Sequence, residues 1–110
     1  NGDDSSLIFH VLKYIEAHFA GGSLTELSQM LFYDFNALSK QIKKLTGKTY
    51  TELVQEKRMS HACFLLESTN LGISEISQLV GYENISYFHR VFRKFYSMSP
   101  KKYRDKTVAK

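Results

Sequence analysis

The chain has 110 residues, of which 43% are apolar and 24% are charged, so its composition is that of one ordinary globular domain. Its formal net charge of +4 is uneven, because residues 34–110 hold fourteen of the fifteen Lys and Arg but only seven of the eleven acids. This basic block predicts a polyanionic partner. The single cysteine, Cys63, excludes an internal disulfide, and no apolar run approaches the ~20 residues that span a membrane.

The sequence favours a cytoplasmic protein with no cofactor, no metal site and no enzymatic activity. The four histidines are scattered and Cys63 has no second cysteine, which argues against a zinc site. Neither a phosphate-binding glycine loop nor a nucleophile elbow occurs. Cys63 lies among Met59, Ala62 and Leu66 of a predicted helix, so we expect a small core residue rather than a redox group.

Helical periodicity dominates residues 7–98, and no strand-like alternation is present. The first helix is predicted to end near Gly21-Gly22, the second to begin at a capping box over residues 23–26, and the third to stop at Gly47. A long helix follows over residues 49–67. The predicted inward-facing residues of these four helices are Leu7, Val11, Leu12, Ile15, Phe19, Leu24, Leu27, Leu31, Leu38, Ile42, Leu45, Tyr50, Leu53, Val54, Ala62 and Leu66.

The chain then repeats a pattern of short helix, turn and longer helix. TELSQML at 25–31 returns as SEISQLV at 74–80, with Gly72 as the predicted N-cap of the second copy. The apolar positions of the third helix return as Phe88, Phe92 and Phe95. Two copies that differ in spacing, joined by a 19-residue connector, argue against a solenoid of equal repeats.

On a helical wheel, the apolar residues of both longer helices face inward and the cations face outward. The stretch YFHRVFRKFYSMSPKKYR at 87–104 mixes rings with cations and contains no acid. Each copy presents a short polar residue, a cation one turn later and two further cations, with one more polar residue at the side of this outward face. These residues are Asn36, Ser39, Lys40, Lys43 and Lys44 in the first copy and Ser86, His89, Arg90, Arg93 and Lys94 in the second.

A short helix, a tight turn and a second amphipathic helix form a helix-turn-helix, whose second helix enters the major groove of DNA. Arg90 can donate two hydrogen bonds to a guanine, and Asn36 can pair with an adenine. Ser39, Ser86 and His89 can donate or accept and are less selective.

Further along each helix, the cations are better placed for phosphate, which fixes register but not sequence. The predicted phosphate contacts are Lys43, Lys44, Arg93 and Lys94. The helix N-termini near Asp34 and Asn84 also offer free backbone amides to a phosphate.

Residues 7–104 resemble the DNA-binding domain of the AraC/XylS family of bacterial transcription regulators. The resemblance is carried by GYENISYFHRVFRKFYSMSPKKYR at 81–104 and by Arg58, Ala62 and Leu66 at the spacing Arg-x-x-x-Ala-x-x-x-Leu. It implies an all-α, homeodomain-like fold of seven helices, with two helix-turn-helix subdomains joined by a long connector helix. The residues it places at bases are Asn36, Ser39, Lys40, Ser86, Tyr87, His89 and Arg90.

The resemblance also implies partners. These are promoter or operator DNA, RNA polymerase, and an N-terminal sensing or dimerisation domain of the same chain, with no membrane. The polar start NGDDSS then suggests a linker or remnant at residues 1–6. The other expected segments are a first subdomain over 7–48, a connector over 49–68, a second subdomain over 69–106 and a tail over 107–110.

The sequence departs from the family pattern at two positions. Phe32 stands where the first turn usually carries glycine, as Gly81 does in the second copy. Because a bulky residue at positive φ costs ~1 kcal/mol or more, we expect a rearranged turn and an altered docking angle. Ser97 replaces a common glycine before Met-Ser-Pro, and we expect it to be tolerated.

Other interpretations of the basic helices remain open at this point. A solvated face, a module that binds an acidic protein, or an RNA-binding module would share their charge. His89 could simply pack on the aromatic stripe, and Tyr87 could lie at the edge of the core.

The length of the connector helix bears on how the two subdomains bind DNA. A connector of ~28 Å is close to the ~34 Å between successive major grooves on one face of the duplex. This length favours a monomer that contacts two neighbouring grooves.

Overall fold

The computed structural model describes the backbone of residues 2–108 and the side chains of residues 4–107. Within them the chain is all-α, as the resemblance implied. The helices are α1 (Gly2–His18), α2 (Leu24–Met30), α3 (Phe35–Thr46), α4 (Tyr50–Ser68), α5 (Ile73–Leu79), α6 (Ile85–Tyr96) and α7 (Pro100–Val108). None of these helices has the length and apolar character needed to cross a membrane.

Both ends of the described chain are more helical than the sequence predicted. α1 begins at Gly2 instead of near Leu7, so residues 2–6 of the expected linker are helical. α7 continues to Val108, which includes the first two residues of the expected tail. Asn1 and residues 109–110, which complete those two segments, lie outside the described residues.

The chain divides into two compact units at Lys57 and Arg58, inside α4. The first unit contains α1, α2, α3 and the first half of α4, and the second contains the rest. Each unit therefore includes one complete copy of the repeated helix pair.

The core of the first unit is built from four helices. Its buried residues are Val11, Tyr14, Ile15, Leu27, Leu38, Ile42 and Val54. The prediction for Leu12 was wrong, since this side chain is 47% exposed. Val11, Tyr14 and Ile15, spaced i, i+3 and i+4, define the inward stripe instead, and Leu12 lies ~100° away from Val11 on the helix.

Tyr14 reaches the N-terminus of α2 and replaces half of the predicted capping box. The Ser23 side chain accepts from the Glu26 backbone N–H at 3.0 Å, as a capping residue should. Glu26 does not return to the Ser23 backbone. The Ser23 N–H donates to the Tyr14 hydroxyl at 2.9 Å, and that hydroxyl donates to Glu26 Oε1 at 2.6 Å. The tyrosine thus ties α1 to the start of α2.

The core of the second unit is largely aromatic and includes the predicted core residue Cys63. Its buried apolar residues are Met59, Ala62, Cys63, Leu66, Ile76, Val80, Tyr82, Phe88, Val91 and Phe92. Phe92 contacts the rings of Phe88, Tyr96 and Tyr103 at centroid distances of 5.9, 4.7 and 5.6 Å. The contact with Tyr103 packs α6 against α7, whereas Phe88 and Tyr96 belong to α6 itself.

Two residues of the family-like signature serve this unit's fold. Arg104 donates from Nε to the Leu66 carbonyl at 3.1 Å and from Nη2 to the Thr69 carbonyl at 3.3 Å. It therefore caps the C-terminus of α4, where the last carbonyls of a helix lack partners. Tyr103 donates its hydroxyl to Glu67 of the same helix.

The turn between α2 and α3 is not rearranged, so the expectation for Phe32 was wrong. Phe32 adopts φ 53°, and its N–H donates to the Gln29 carbonyl at 3.2 Å. The Tyr33 N–H then donates to the Ser28 carbonyl at 2.9 Å. The Phe32 side chain is 97% exposed, so no packing contact stabilises its left-handed conformation, and the turn is held by these two backbone hydrogen bonds.

The second turn makes the same pair of hydrogen bonds. Gly81, at φ 104°, donates to the Gln78 carbonyl at 3.0 Å, and Tyr82 donates to the Ser77 carbonyl at 2.9 Å. The hydrogen bonds, and not the residue type, therefore define this turn in both copies.

At the C-termini of the longer helices, glycine occurs in the first copy and serine in the second. Gly47 ends α3 at φ 78° and Ser97 ends α6 at φ 59°, each donating its N–H to the carbonyl four residues earlier. Serine is thus accepted where glycine is usual, as the sequence predicted.

Candidate nucleic-acid interface

α3 begins at Asp34, whose carboxylate accepts from the Ala37 N–H at 3.0 Å. Leu38 and Ile42 are fully buried, and this fixes the rotation of the helix about its axis. The opposite side is exposed and carries every site residue predicted for this helix: Asn36, Ser39, Lys40, Lys43 and Lys44. The first copy therefore presents them on one face.

α6 is built in the same way. Asn84 caps it through Oδ1, which accepts from the Tyr87 N–H at 3.1 Å. Phe88 and Phe92 are fully buried, whereas Phe95 is only half-buried. The exposed residues include the predicted Ser86, Tyr87, Arg90, Arg93 and Lys94, and His89 is half-buried.

Four predicted site residues of α6 line one surface groove of about 400 Å³: His89, Arg90, Arg93 and Lys94. Arg93 and Lys94 have no acidic partner within the described chain. No acid among the described side chains compensates their charges, so the groove attracts an anion. Exposed cations without an acidic partner are suited to binding phosphate.

The tautomer of His89, which lines this groove, follows from one hydrogen bond. Its Nδ1 lies 2.9 Å from the Ile85 carbonyl oxygen, which can only accept, so Nδ1 carries the hydrogen. In the neutral ring, Nε2 is then an acceptor. The ring also contacts Phe88 edge-on at 6.0 Å, so His89 both packs on the aromatic stripe and faces the groove.

The cations of α3 fall into two groups. Lys43 donates to the Gly47 carbonyl at 3.1 Å and so helps to cap its own helix. Lys40 and Lys44 have no acidic partner among the described side chains of residues 4–107. The cations that are ready for a polyanion on this helix are therefore Lys40 and Lys44, with Lys43 already engaged.

Arg90 is held by an aromatic neighbour, a contact that sequence reasoning missed. Its guanidinium lies over the Tyr87 ring, 5.5 Å from the centroid. Tyr87 in turn meets buried Tyr82 edge-on at 5.7 Å, and the Arg58 guanidinium lies 4.9 Å from the Tyr82 centroid. The spacing of three between Tyr87 and Arg90 was the available signal, because residues i and i+3 are neighbours on a helix.

Burial raises the pKa of Tyr82, and the nearby Arg58 charge acts in the opposite direction. No group of three or more His, Cys, Asp or Glu that could hold a metal ion occurs in the part of the chain that the structure describes.

Comparison with known proteins agrees with this geometry. Residues 27–106 match a family described as a helix-turn-helix domain. The chain is also 34% identical, over 104 residues, to the transcriptional activator PerA of Escherichia coli O127:H6. The chain belongs to the AraC/XylS family of helix-turn-helix DNA-binding domains.

Two other members of the family illustrate the extent of the match. The xylose operon regulatory protein of Escherichia coli K12 is 33% identical over 99 residues, covering 89% of this chain. The solved C-terminal domain of AraT, a response regulator from Geobacillus stearothermophilus, is 33% identical with a TM-score of 0.86. That likeness covers 91% of this chain and 84% of the AraT domain. By contrast, this AraC/XylS domain spans only 38% of the length of PerA and 25% of the xylose regulator.

Proposed function

We propose that this domain binds duplex DNA sequence-specifically through the exposed faces of α3 and α6, within a bacterial transcription regulator. It acts by binding and not by catalysis. The observation that carries the proposal is the shared arrangement of the two copies. In each, buried residues of the helix leave a short polar group and several cations together on the opposite face.

Each face has groups for both kinds of DNA contact. Base contacts are proposed for Asn36, Ser39, Lys40, Ser86, Tyr87, His89 and Arg90. Phosphate contacts are proposed for Lys43, Lys44, Asn84, Arg93 and Lys94. Lys43 must exchange its contact with Gly47 for phosphate, and Asn84 keeps only its amide hydrogens free because Oδ1 caps α6. We infer that the first motif and the second motif read adjacent major-groove segments.

The role of the whole protein extends this proposal. We propose that the domain works in the cytoplasm, behind an N-terminal sensing or dimerising domain, and that it activates transcription by engaging RNA polymerase at promoters. The name of PerA, a transcriptional activator, supports activation over repression.

Selection of binding sites from random duplexes tests the proposal. The chain should enrich a recurrent site with two half-motifs about one helical turn apart. Enrichment without any base preference would contradict sequence-specific DNA binding and would favour a basic module for an acidic protein. Preferential retention of a matched RNA hairpin pool would favour RNA binding instead.

A further inference from the structure

The second motif holds the side chain proposed as its principal base reader in a stack of two tyrosine rings between two arginine cations. The stack starts at Arg58, passes through Tyr82 and Tyr87, and ends at Arg90. Its successive separations are 4.9 Å, 5.7 Å and 5.5 Å. Tyr82 is 5% exposed, so the stack is anchored in the core, whereas Tyr87 is 41% exposed and forms its outer end with Arg90.

The Arg90 guanidinium lies over the ring of Tyr87, with its central carbon 5.5 Å from the ring centroid. A cation–π contact attracts the cation to the face of the ring and uses no hydrogen-bond acceptor, so the N–H groups that point away from the ring remain available to a partner. The stack also removes rotamer freedom from a long side chain before any partner arrives. Arg90 is therefore presented with its donor fork preoriented, which lowers the ordering cost of binding.

The first motif lacks this device. The residues that correspond to Tyr82, Tyr87 and Arg90 are Tyr33, Ala37 and Lys40. Ala37 has no ring, so Lys40 rests on a flexible stem with no aromatic support. The fold of the helix pair does not need the stack, since the first copy folds the same turn without it.

We propose that Tyr87 is a positioning residue that determines specificity through Arg90, by holding the guanidinium in the orientation that reads one base pair. This deepens the proposed function and rests on it. It also replaces the direct base contact that the family resemblance and the proposed function gave to Tyr87: this ring acts on the base pair only through Arg90.

The experiment measures affinity for the selected site and for a panel with each base pair replaced in turn. Arg90→Ala identifies the base pair that Arg90 reads. Tyr87→Ala should reduce discrimination at that same base pair by about two- to five-fold, the range expected for an exposed cation–π contact. Tyr87→Phe, which keeps the ring, should retain discrimination. The double variant should discriminate no worse than Arg90→Ala alone.

Two outcomes would overturn the positioning role. In one, Tyr87→Ala changes preference at a different base pair, as a direct contact would. In the other, the losses from Tyr87→Ala and Arg90→Ala multiply. Ile85→Ala is the matched control, because Ile85 lies on the same turn and is 38% exposed. It should leave discrimination at the Arg90 base pair unchanged, and circular dichroism should show that all variants remain folded.

A readout without DNA separates this proposal from the proposed function. In the free protein, the ring current of Tyr87 should shift the side-chain proton resonances of Arg90. The shift should persist in Tyr87→Phe and vanish in Tyr87→Ala. Unshifted resonances in the unsubstituted chain would overturn the stack whatever DNA binding shows. An intact stack in a chain without base preference would instead contradict the proposed function.

Discussion

Phe32 and Gly81 occupy the same position in two copies of one turn, at φ 53° and φ 104°, and their flanking backbone hydrogen bonds are the same. The fold thus places an aromatic residue in a conformation that suits glycine. Since the Phe32 side chain is 97% exposed, no packing offsets the conformational cost.

Replacing Phe32 by glycine should therefore stabilise the domain. Relief of ~1–2 kcal/mol of left-handed strain exceeds the extra chain entropy of glycine, ~0.5–1 kcal/mol, so the expected gain is about 0.5–1 kcal/mol. Chemical denaturation of the two proteins measures this difference. An unchanged or lower free energy of unfolding would show that the ring makes a stabilising contact.

Gly47→Ala provides the reverse test at the end of α3. A Cβ atom at Gly47 would meet no atom within 4 Å, so its cost comes only from φ 78°. We expect a loss of about 1 kcal/mol in the same denaturation experiment. If the loss were absent, left-handed strain would be too small in this chain to explain a gain in Phe32→Gly.

Phe92→Ala should destabilise the second unit by ~3–5 kcal/mol, since Phe92 is fully buried and contacts three other rings. Thermal melting checks the effect. Phe64→Ala is the control, because Phe64 is 60% exposed and its removal opens no cavity. Equal melting temperatures for Phe92→Ala and the original chain would mean that the inward face of α6 is misassigned.

Arg90→Ala and Arg93→Ala should affect DNA binding in different ways. Loss of Arg90 should cost ~1–3 kcal/mol at one base position and relax preference there. Loss of Arg93 should weaken every sequence alike and reduce the salt dependence of binding. Titration of selected and scrambled duplexes at several salt concentrations separates the two. Equal losses on both duplexes for Arg90→Ala would contradict a base-reading role.

Stability should fall at alkaline pH because four tyrosines have raised pKa values. Burial is the main cause for Tyr14, Tyr82 and Tyr96, and the hydrogen bond to Glu67 is the main cause for Tyr103. A raised folded-state pKa favours the neutral phenol in the folded protein. Its contribution is complete below the unfolded value of about 10 and is lost as pH rises through the folded value.

Denaturation at a series of pH values, with phenolate absorbance in parallel, checks this prediction. Tyr14→Phe removes one of the four groups together with its link to Ser23 and Glu26, so it should make the alkaline decline shallower. A free energy of unfolding that stayed constant from about pH 9 to about pH 12 would contradict the assignment.

Periodicity predicted the helix order and the faces of α3 and α6, because Leu38, Ile42, Phe88 and Phe92 recur at helical spacing and are buried. It failed at Leu12, since one apolar residue beside a stripe does not reveal whether a partner covers it. The hydrogen bonds of the Tyr14 hydroxyl with Ser23 and Glu26 could not be predicted from periodicity either, because they join residues nine and twelve apart in the chain through a side chain.

The candidate site was predicted as a set of residues but not as an arrangement. The exposed positions follow from the wheel, whereas the contact of Arg90 with Tyr87 depends on rotamers that no residue spacing specifies. At Phe32 the sequence predicted a structural change that is absent. Residue preference predicted a rearrangement, yet the turn keeps its local backbone hydrogen bonds despite ~1 kcal/mol of strain at Phe32.

Backbone amide chemical shifts, followed while a selected duplex is added to the labelled chain, test the central claim most directly. If α3 and α6 face the grooves, the largest changes should fall on their first two turns, around Asn36 to Lys40 and Ser86 to Arg90. Changes confined to the exposed side of α1 around Phe9, with both of these turns unmoved, would contradict the account.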